Sequence, residues 1–214
     1  MDAKEIIARR IALELENGDI VNLGIGIPTM VADYLPHGKE IILQSENGVL
    51  GLGPLTEMSE TVNASGQSAS VMAGGAFIDS ATSFMIIRGG HVDVTVLGAL
   101  EVDEEGSLAS WIIPGKKVPG MGGAMDLVVG AKKVIIAMTH TNNGTPKIVR
   151  KCTLPLTAYK QVNLIVTDTA VIEVRDDGLH LLEIHPDTTV EQVKKATSAH
   201  LIVDDVAKMK GVTL

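Results

Sequence analysis

Apolar residues at the start of the chain fall at helical spacing. Ile6, Ile7, Ile11, Ala12 and Leu15 share one stripe, which predicts a helix over residues 2–16 ended by Asn17-Gly18. The period then shortens. Ile20-Val21-Asn22-Leu23 reads as a strand, Gly24-Ile25-Gly26-Ile27-Pro28 as a tight loop, and Pro28 opens a helix to residue 34. Residues 41–44 are a second strand, continuously apolar at its start and expected to be central and buried. Strand, glycine loop, helix and strand make a βαβ unit, and hence a parallel sheet. Further strands are predicted at 69–72, 93–97, 133–138, 148–151, 162–166 and 171–175, with helices at 79–88, 123–130 and 188–197. Asp176-Asp177-Gly178 joins two apolar runs as a turn, which predicts an antiparallel hairpin. The fold class is therefore α/β: one open, largely parallel sheet flanked by helices, with some antiparallel strands late in the chain, in a single domain over 1–214.

Composition narrows the function classes. Of 214 residues, 45% are apolar but only 2% aromatic, so aliphatic side chains must fill the core. A net charge of -8 with so few aromatics argues against a nucleic-acid partner. No apolar run reaches the roughly 18 residues of a membrane span, and the charged N-terminus does not read as a signal peptide. Cys152 stands alone, so no internal disulfide forms. The expectation is a cytoplasmic protein with no membrane partner.

Candidate chemistry is sparse. Gly24 and Gly26 follow a strand, as in a dinucleotide fingerprint, and Glu46 lies near the distance of a ribose-binding acid. Thr29 holds the place of the third glycine, however, and Pro28 removes an N–H from the helix start. A structural strand-to-helix turn is the plainer reading. None of His37, His91, His140, His180, His185 and His200 pairs at a metal-ligand spacing, so no metal site is expected. Cys152 reads as a small apolar filler, and Asp103-Glu104-Glu105 as a solvated turn. No G-x-S-x-G is present. The glycine- and proline-rich run from Pro114 to Leu127 is either a plain loop or a cradle of backbone N–H groups for an anion or oxyanion.

Glu46 is the odd residue. Glu46-Asn47-Gly48 is an ordinary turn sequence, yet it stands at the C-terminal end of a buried strand, where α/β sheets place their ligand sites. Asn47 tolerates a left-handed backbone and Gly48 adopts it freely, so the chain can reverse and leave the carboxylate at the tip. Gly51 and Gly53 are expected to keep the approach clear. A glutamate is an anion at neutral pH and needs no general base to act as a nucleophile. It is weak, so its electrophile must be activated, and a thioester suits it. Such a site must exclude water and supply N–H donors to the tetrahedral oxygen.

The sequence resembles the β subunits of family I coenzyme A transferases of the acetoacetate type. The resemblance is carried by VNLGIGIPTMVADYLP (21–36), LQSENG (43–48), IRGGHVDVTVLGALEVDE (87–104), PGKKVPGMGGAMDLV (114–128), KVIIAMTHT (133–141) and KCTLPLT (151–157). It implies the open α/β fold of that family, the NagB-like fold. It also implies that Glu46 is the nucleophile that becomes a glutamyl-CoA thioester. Gly123 and Ala124 then offer backbone N–H groups at the thioester carbonyl, and Gly122, Asn47, Gly48, Gly24 and Gly26 line the substrate. The implied partner is an α subunit, in a heterotetramer of two α and two β chains. Acyl-CoA and short-chain carboxylates are the implied substrates, with no permanently bound cofactor. Lys116 and Lys117 are candidate contacts for the CoA phosphates. Departures from the family pattern are Lys117, Ser65 and a short loop at 54–63. The competing expectations are a dinucleotide- or sugar-phosphate-binding enzyme using Gly24–Thr29, and a non-catalytic assembly subunit.

Overall fold

A computed structural model describes residues 1–57, 59–63, 65–116, 118 and 120–212. Lys117 therefore lies outside the described residues. Helix α1 spans Ala3–Ala12, and the Asp2 carboxylate caps it by accepting from the Glu5 N–H at 2.8 Å. It stops short of the predicted residue 16. The Leu13 and Glu14 N–H groups donate to the Arg10 and Ile11 carbonyls, which tightens the last turn. Gly18 and Asn17 are then engaged by the Glu40 backbone.

Strand β1 (Ile20–Leu23) leads into a 3-10 helix (Ile27–Tyr34), where the sequence predicts an ordinary helix. Strands β2 (Ile42–Ser45), β3 (Val49–Leu55) and β4 (Ala69–Phe77) follow, then helix α2 (Ser80–Arg88). Next come β5 (Val94–Leu97), β6 (Glu101–Asp103), β7 (Leu108–Ala109), α3 (Ala124–Gly130) and β8 (Lys133–Ala137). Short strands β9 (Thr141–Asn142), β10 (Thr145–Pro146) and β11 (Ile148–Val149) precede β12 (Leu164–Val166), β13 (Ala170–Arg175) and β14 (Gly178–Ile184). Helix α4 (Val190–Ala196) starts on a capping box between Thr189 and Gln192, and β15 (Leu201–Ile202) and β16 (Ala207–Lys208) close the chain.

Among the described residues the main sheet has 11 strands, in the order β15-β14-β13-β12-β8-β5-β1-β2-β3-β4 with β16 on β14. Its centre, β12-β8-β5-β1-β2, is parallel, as the βαβ pattern predicts. The hairpin at Asp176–Gly178 forms. Antiparallel strands are not confined to the later part, because β2-β3-β4 is an antiparallel meander. Strand β2 lies between β1 and β3, but Ile42 is exposed, so only its C-terminal half is buried. Alternate side chains feed two cores. Val94, Val96 and Ile135 face α1, while Val134, Ile136 and Ile165 face α2, α3 and α4. No helix among the described residues is long and apolar enough to cross a membrane.

Several buried polar clusters tie the layers together, and two of them bear on stability. Arg10 of α1 holds Glu183 of β14 at 2.7 and 3.1 Å and Glu14 at 2.8 Å, and Glu14 also holds Lys133 of β8. Burial opposes both charges, but the Glu183 and Glu14 contacts raise the Arg10 pKa, and the Lys133 and Arg10 contacts lower that of Glu14. His140 is the second cluster. Its ring bridges the Thr167 and Thr197 hydroxyls at 2.9 and 2.8 Å, the structural role expected for it. Burial, opposed by Asp168, lowers its pKa to about 4.

The unfolded chain therefore binds a proton at His140 across a window where the folded chain does not. The stability this contributes is present above an ordinary histidine pKa of about 6.5 and is lost as pH falls toward 4, by about 3 kcal/mol in all. Urea denaturation at stepped pH is expected to show this slope, and His140→Gln to flatten it.

Candidate active site

Strand β2 ends at Ser45, and Glu46, Asn47 and Gly48 turn the chain into β3, with the Gly48 N–H donating to the Ser45 carbonyl at 3.0 Å. Gly48 has φ +109°, and a Cβ there would lie 2.4 Å from the Ile78 carbonyl oxygen. Only glycine fits, because the Ile78 N–H also donates to the Gly48 carbonyl and holds the turn against the end of β4. Asn47 does not use the left-handed backbone it tolerates, and its side chain is engaged by the Val62 carbonyl, to which it donates at 2.9 Å. Gly51 and Gly53 serve packing rather than access. A Cβ on Gly51 would meet the Gly75 Cα at 2.9 Å, and one on Gly53 the Ser70 Oγ at 2.5 Å.

Glu46 is half-buried on the α2–α3 side of the sheet. Its Oε2 accepts from Asn22 Nδ2 at 3.1 Å. A Cβ on Gly123 would sit 3.6 Å from Glu46 Cγ and 3.6 Å from the Phe84 ring, so the start of α3 lies directly against the carboxylate arm. Gly123, as N-cap of α3, accepts from the Leu127 N–H through its carbonyl. Among the described residues its own N–H has no acceptor. The Ala124 N–H donates to the Met121 carbonyl at 3.2 Å. Gly122 is exposed with φ +53°. The structure thus brings Glu46, Gly123 and Asn22 together, flanked by Gly122 and Ala124.

The Gly24–Thr29 loop does not form a dinucleotide cradle. The helix after it is a 3-10 helix with no side-chain cap, and proline stands in its first turn. Gly24 permits close packing, since a Cβ would lie 3.1 Å from the Val96 carbonyl and from Leu97. Gly26 has φ +90° and open space around it. Cys152 is half-buried, and burial together with Asp103 and Glu101 pushes its thiol up to about 12, so it is no nucleophile. Asp103, expected in a solvated turn, is instead buried and accepts from the Glu105, Ser107 and Cys152 N–H groups. Lys116 is exposed.

Two residues escaped the sequence reading. Asn22 is almost fully buried in β1, and Gln44, buried in β2, accepts from it through Oε1 at 2.8 Å. The signal was a polar side chain inside each of two apolar strands, since such groups must find a partner.

A carboxylate at the C-terminal edge of an open α/β sheet, against a glycine-opened helix, is an arrangement suited to acyl transfer. Comparison with known proteins identifies the class. The Coenzyme A transferase family profile matches residues 4–196, and the chain belongs to that family. Among its relatives is the acetate CoA-transferase beta subunit of Escherichia coli (strain K12), 57% identical over 214 residues, with 99% of each chain covered. A probable succinyl-CoA:3-ketoacid coenzyme A transferase subunit of Bacillus subtilis (strain 168) is 44% identical over 207 residues, covering 94% of this chain and 96% of the relative. In fold the chain matches an acyl-CoA transferase apoenzyme of Escherichia coli O157:H7, with TM-score 0.80 and 23% identity. That match covers 98% of this chain but 44% of the other, so the present chain spans less than half of it. The chain is accordingly a CoA-transferase enzyme component, and the expectation of a largely parallel α/β fold holds.

Proposed function

We propose that this chain is the catalytic β subunit of a 3-oxoacid-type CoA-transferase. It moves CoA between a short-chain acyl-CoA (acetyl-, butyryl- or succinyl-CoA) and acetoacetate or a related carboxylate. The observation that carries the reading is the Glu46 carboxylate, held by Asn22 on one side and bordered by Gly123 on the other. Substrate class follows the names of the relatives, which are acetate and succinyl-CoA:3-ketoacid enzymes.

One oxygen of Glu46 attacks the acyl-CoA carbonyl. The tetrahedral intermediate collapses to an acyl-glutamyl anhydride, and CoA leaves as a thiolate. That thiolate attacks the glutamyl carbonyl, releasing the acyl group as a carboxylate and leaving a Glu46–CoA thioester. A second carboxylate reverses both steps and departs as the new acyl-CoA. The Gly123 N–H is the donor nearest to hand for the tetrahedral oxygen, and one such donor contributes about a hundred- to thousandfold. The Ala124 N–H joins it when the Met121 carbonyl yields. Gly122, beside them, leaves the entry free of side chains. Water has to be kept from the anhydride. An α subunit is suited to exclude it. The Escherichia coli K12 relative is itself named as a beta subunit, and the single-chain structural match is more than twice as long. Two α and two β chains make the assembly we infer, in the cytoplasm and with no cofactor beyond the CoA substrate. Lys116 is an available contact for the CoA phosphates.

Isotope exchange tests this reading. The assembled enzyme, given acetoacetyl-CoA, labelled acetoacetate and no second acid, is expected to move label into acetoacetyl-CoA. Turnover that requires both acids at once would refute the ping-pong scheme.

A further inference from the structure

We propose that Gln44 and Ser83 are positioning residues, forming with Asn22 a one-way hydrogen-bond relay that aims an N–H at Glu46. The proposal rests on the reading of Glu46 as nucleophile. Three elements build the relay: Ser83 on α2, Gln44 on β2 and Asn22 on β1, all buried.

Direction follows from counting protons. The Ser83 hydroxyl has one, and it donates to the Ser45 carbonyl at 3.3 Å. Its lone pair therefore accepts from Gln44 Nε2 at 2.9 Å. That fixes which way the Gln44 amide faces, and its Oε1 is turned to Asn22. Oε1 accepts from Asn22 Nδ2 at 2.8 Å, and the Gln44 carbonyl lies 3.1 Å from the same nitrogen. Flipping Asn22 would set its oxygen against these two acceptors and the Glu46 carboxylate at once. Asn22 is thereby held with its NH₂ toward the reacting group, reaching Glu46 Oε2 at 3.1 Å.

A purely structural amide would be satisfied at both ends. Asn22 Oδ1 is instead buried without a partner among the described residues, as is the hydroxyl of Thr95, its pairing neighbour on β5. Such orphaned groups cost stability and call for an explanation. The relay supplies one: the donor end of Asn22 is committed, and the acceptor end is what that commitment leaves over. The attacking oxygen is then selected as well, since Oε2 is engaged and Oε1 remains to attack.

The test uses the chain assembled with its partner subunit, in wild-type form and as Ser83→Ala, Gln44→Leu and the double variant. The measured quantity is the rate of CoA attachment to the Glu46 peptide in a single turnover of acetoacetyl-CoA, corrected for folded fraction by thermal melts. Gln44→Leu is expected to slow attachment about 10- to 100-fold with KM little changed, because a misaimed group loses orientation rather than binding. Ser83→Ala is expected to slow it less, and the double variant no more than Gln44→Leu alone, since a serial relay is broken only once. Attachment at the wild-type rate per folded enzyme in both single variants would overturn the relay while leaving Glu46 as nucleophile. So would losses that multiply in the double variant, the mark of independent packing damage. If the wild-type complex turns over with no CoA on Glu46, the nucleophile reading fails and the relay with it.

Discussion

Glu46→Gln is expected to abolish turnover, by on the order of ten-thousandfold or more, while leaving the fold and the assembly with its partner intact. The two side chains have the same shape, and a glutamine oxygen can still accept from Asn22 Nδ2 in place of Oε2. What disappears is the anionic oxygen that the proposed scheme brings to the thioester, and no other carboxylate among the described residues is hydrogen-bonded to Asn22 in its place. Cys152 is held protonated by burial and has its own contact, with the Ser107 carbonyl. Steady-state rates, compared with thermal melts and co-purification of the partner subunit, check this result. Full activity in Glu46→Gln would support the rival reading of a non-catalytic assembly subunit. A stability loss equal to the activity loss would reduce Glu46 to a structural residue.

Arg10→Met is expected to produce the largest stability change, about 3–5 kcal/mol, because it strands a buried charge. Arg10 and Glu183 are 5% and 6% exposed, and the guanidinium holds both Glu183 oxygens. Methionine fills much of the volume but leaves the Glu183 carboxylate without its main counter-charge, and Glu14 keeps only Lys133. Removing both partners, as Arg10→Met with Glu183→Leu, is expected to recover part of that loss, since a buried pair offsets its own desolvation poorly. Urea denaturation of the three variants checks this. Equal losses in single and double variants would show that packing, not stranded charge, sets the cost.

The parts of the fold legible in the sequence were those with a clear period. The parallel strands β1, β5, β8 and β12 are short apolar runs, and each formed close to its predicted place. Strand β3 was missed because glycines and Pro54 fill its run, and these usually mark loops. Here Gly51 and Gly53 let β4 approach closely, which no local pattern reveals. The end of α1 was set by bonds to Glu40, across a sequence gap a helix rule does not span. Glu46 stood out in the sequence by its place at the C-terminal end of a buried strand, and the role proposed for it came from the resemblance carried by LQSENG. Asn22 and Gln44 did not stand out, because their meaning lies in a contact between strands 22 residues apart.

The proposed mechanism requires a covalent bond between Glu46 and CoA. The most direct measurement is peptide mass spectrometry of the assembled enzyme after acetoacetyl-CoA is added without any acceptor acid. A CoA-sized adduct on the Glu46 peptide, absent from Glu46→Gln, is the predicted result. An active complex that carries no such adduct, or carries it on another residue, would contradict the account.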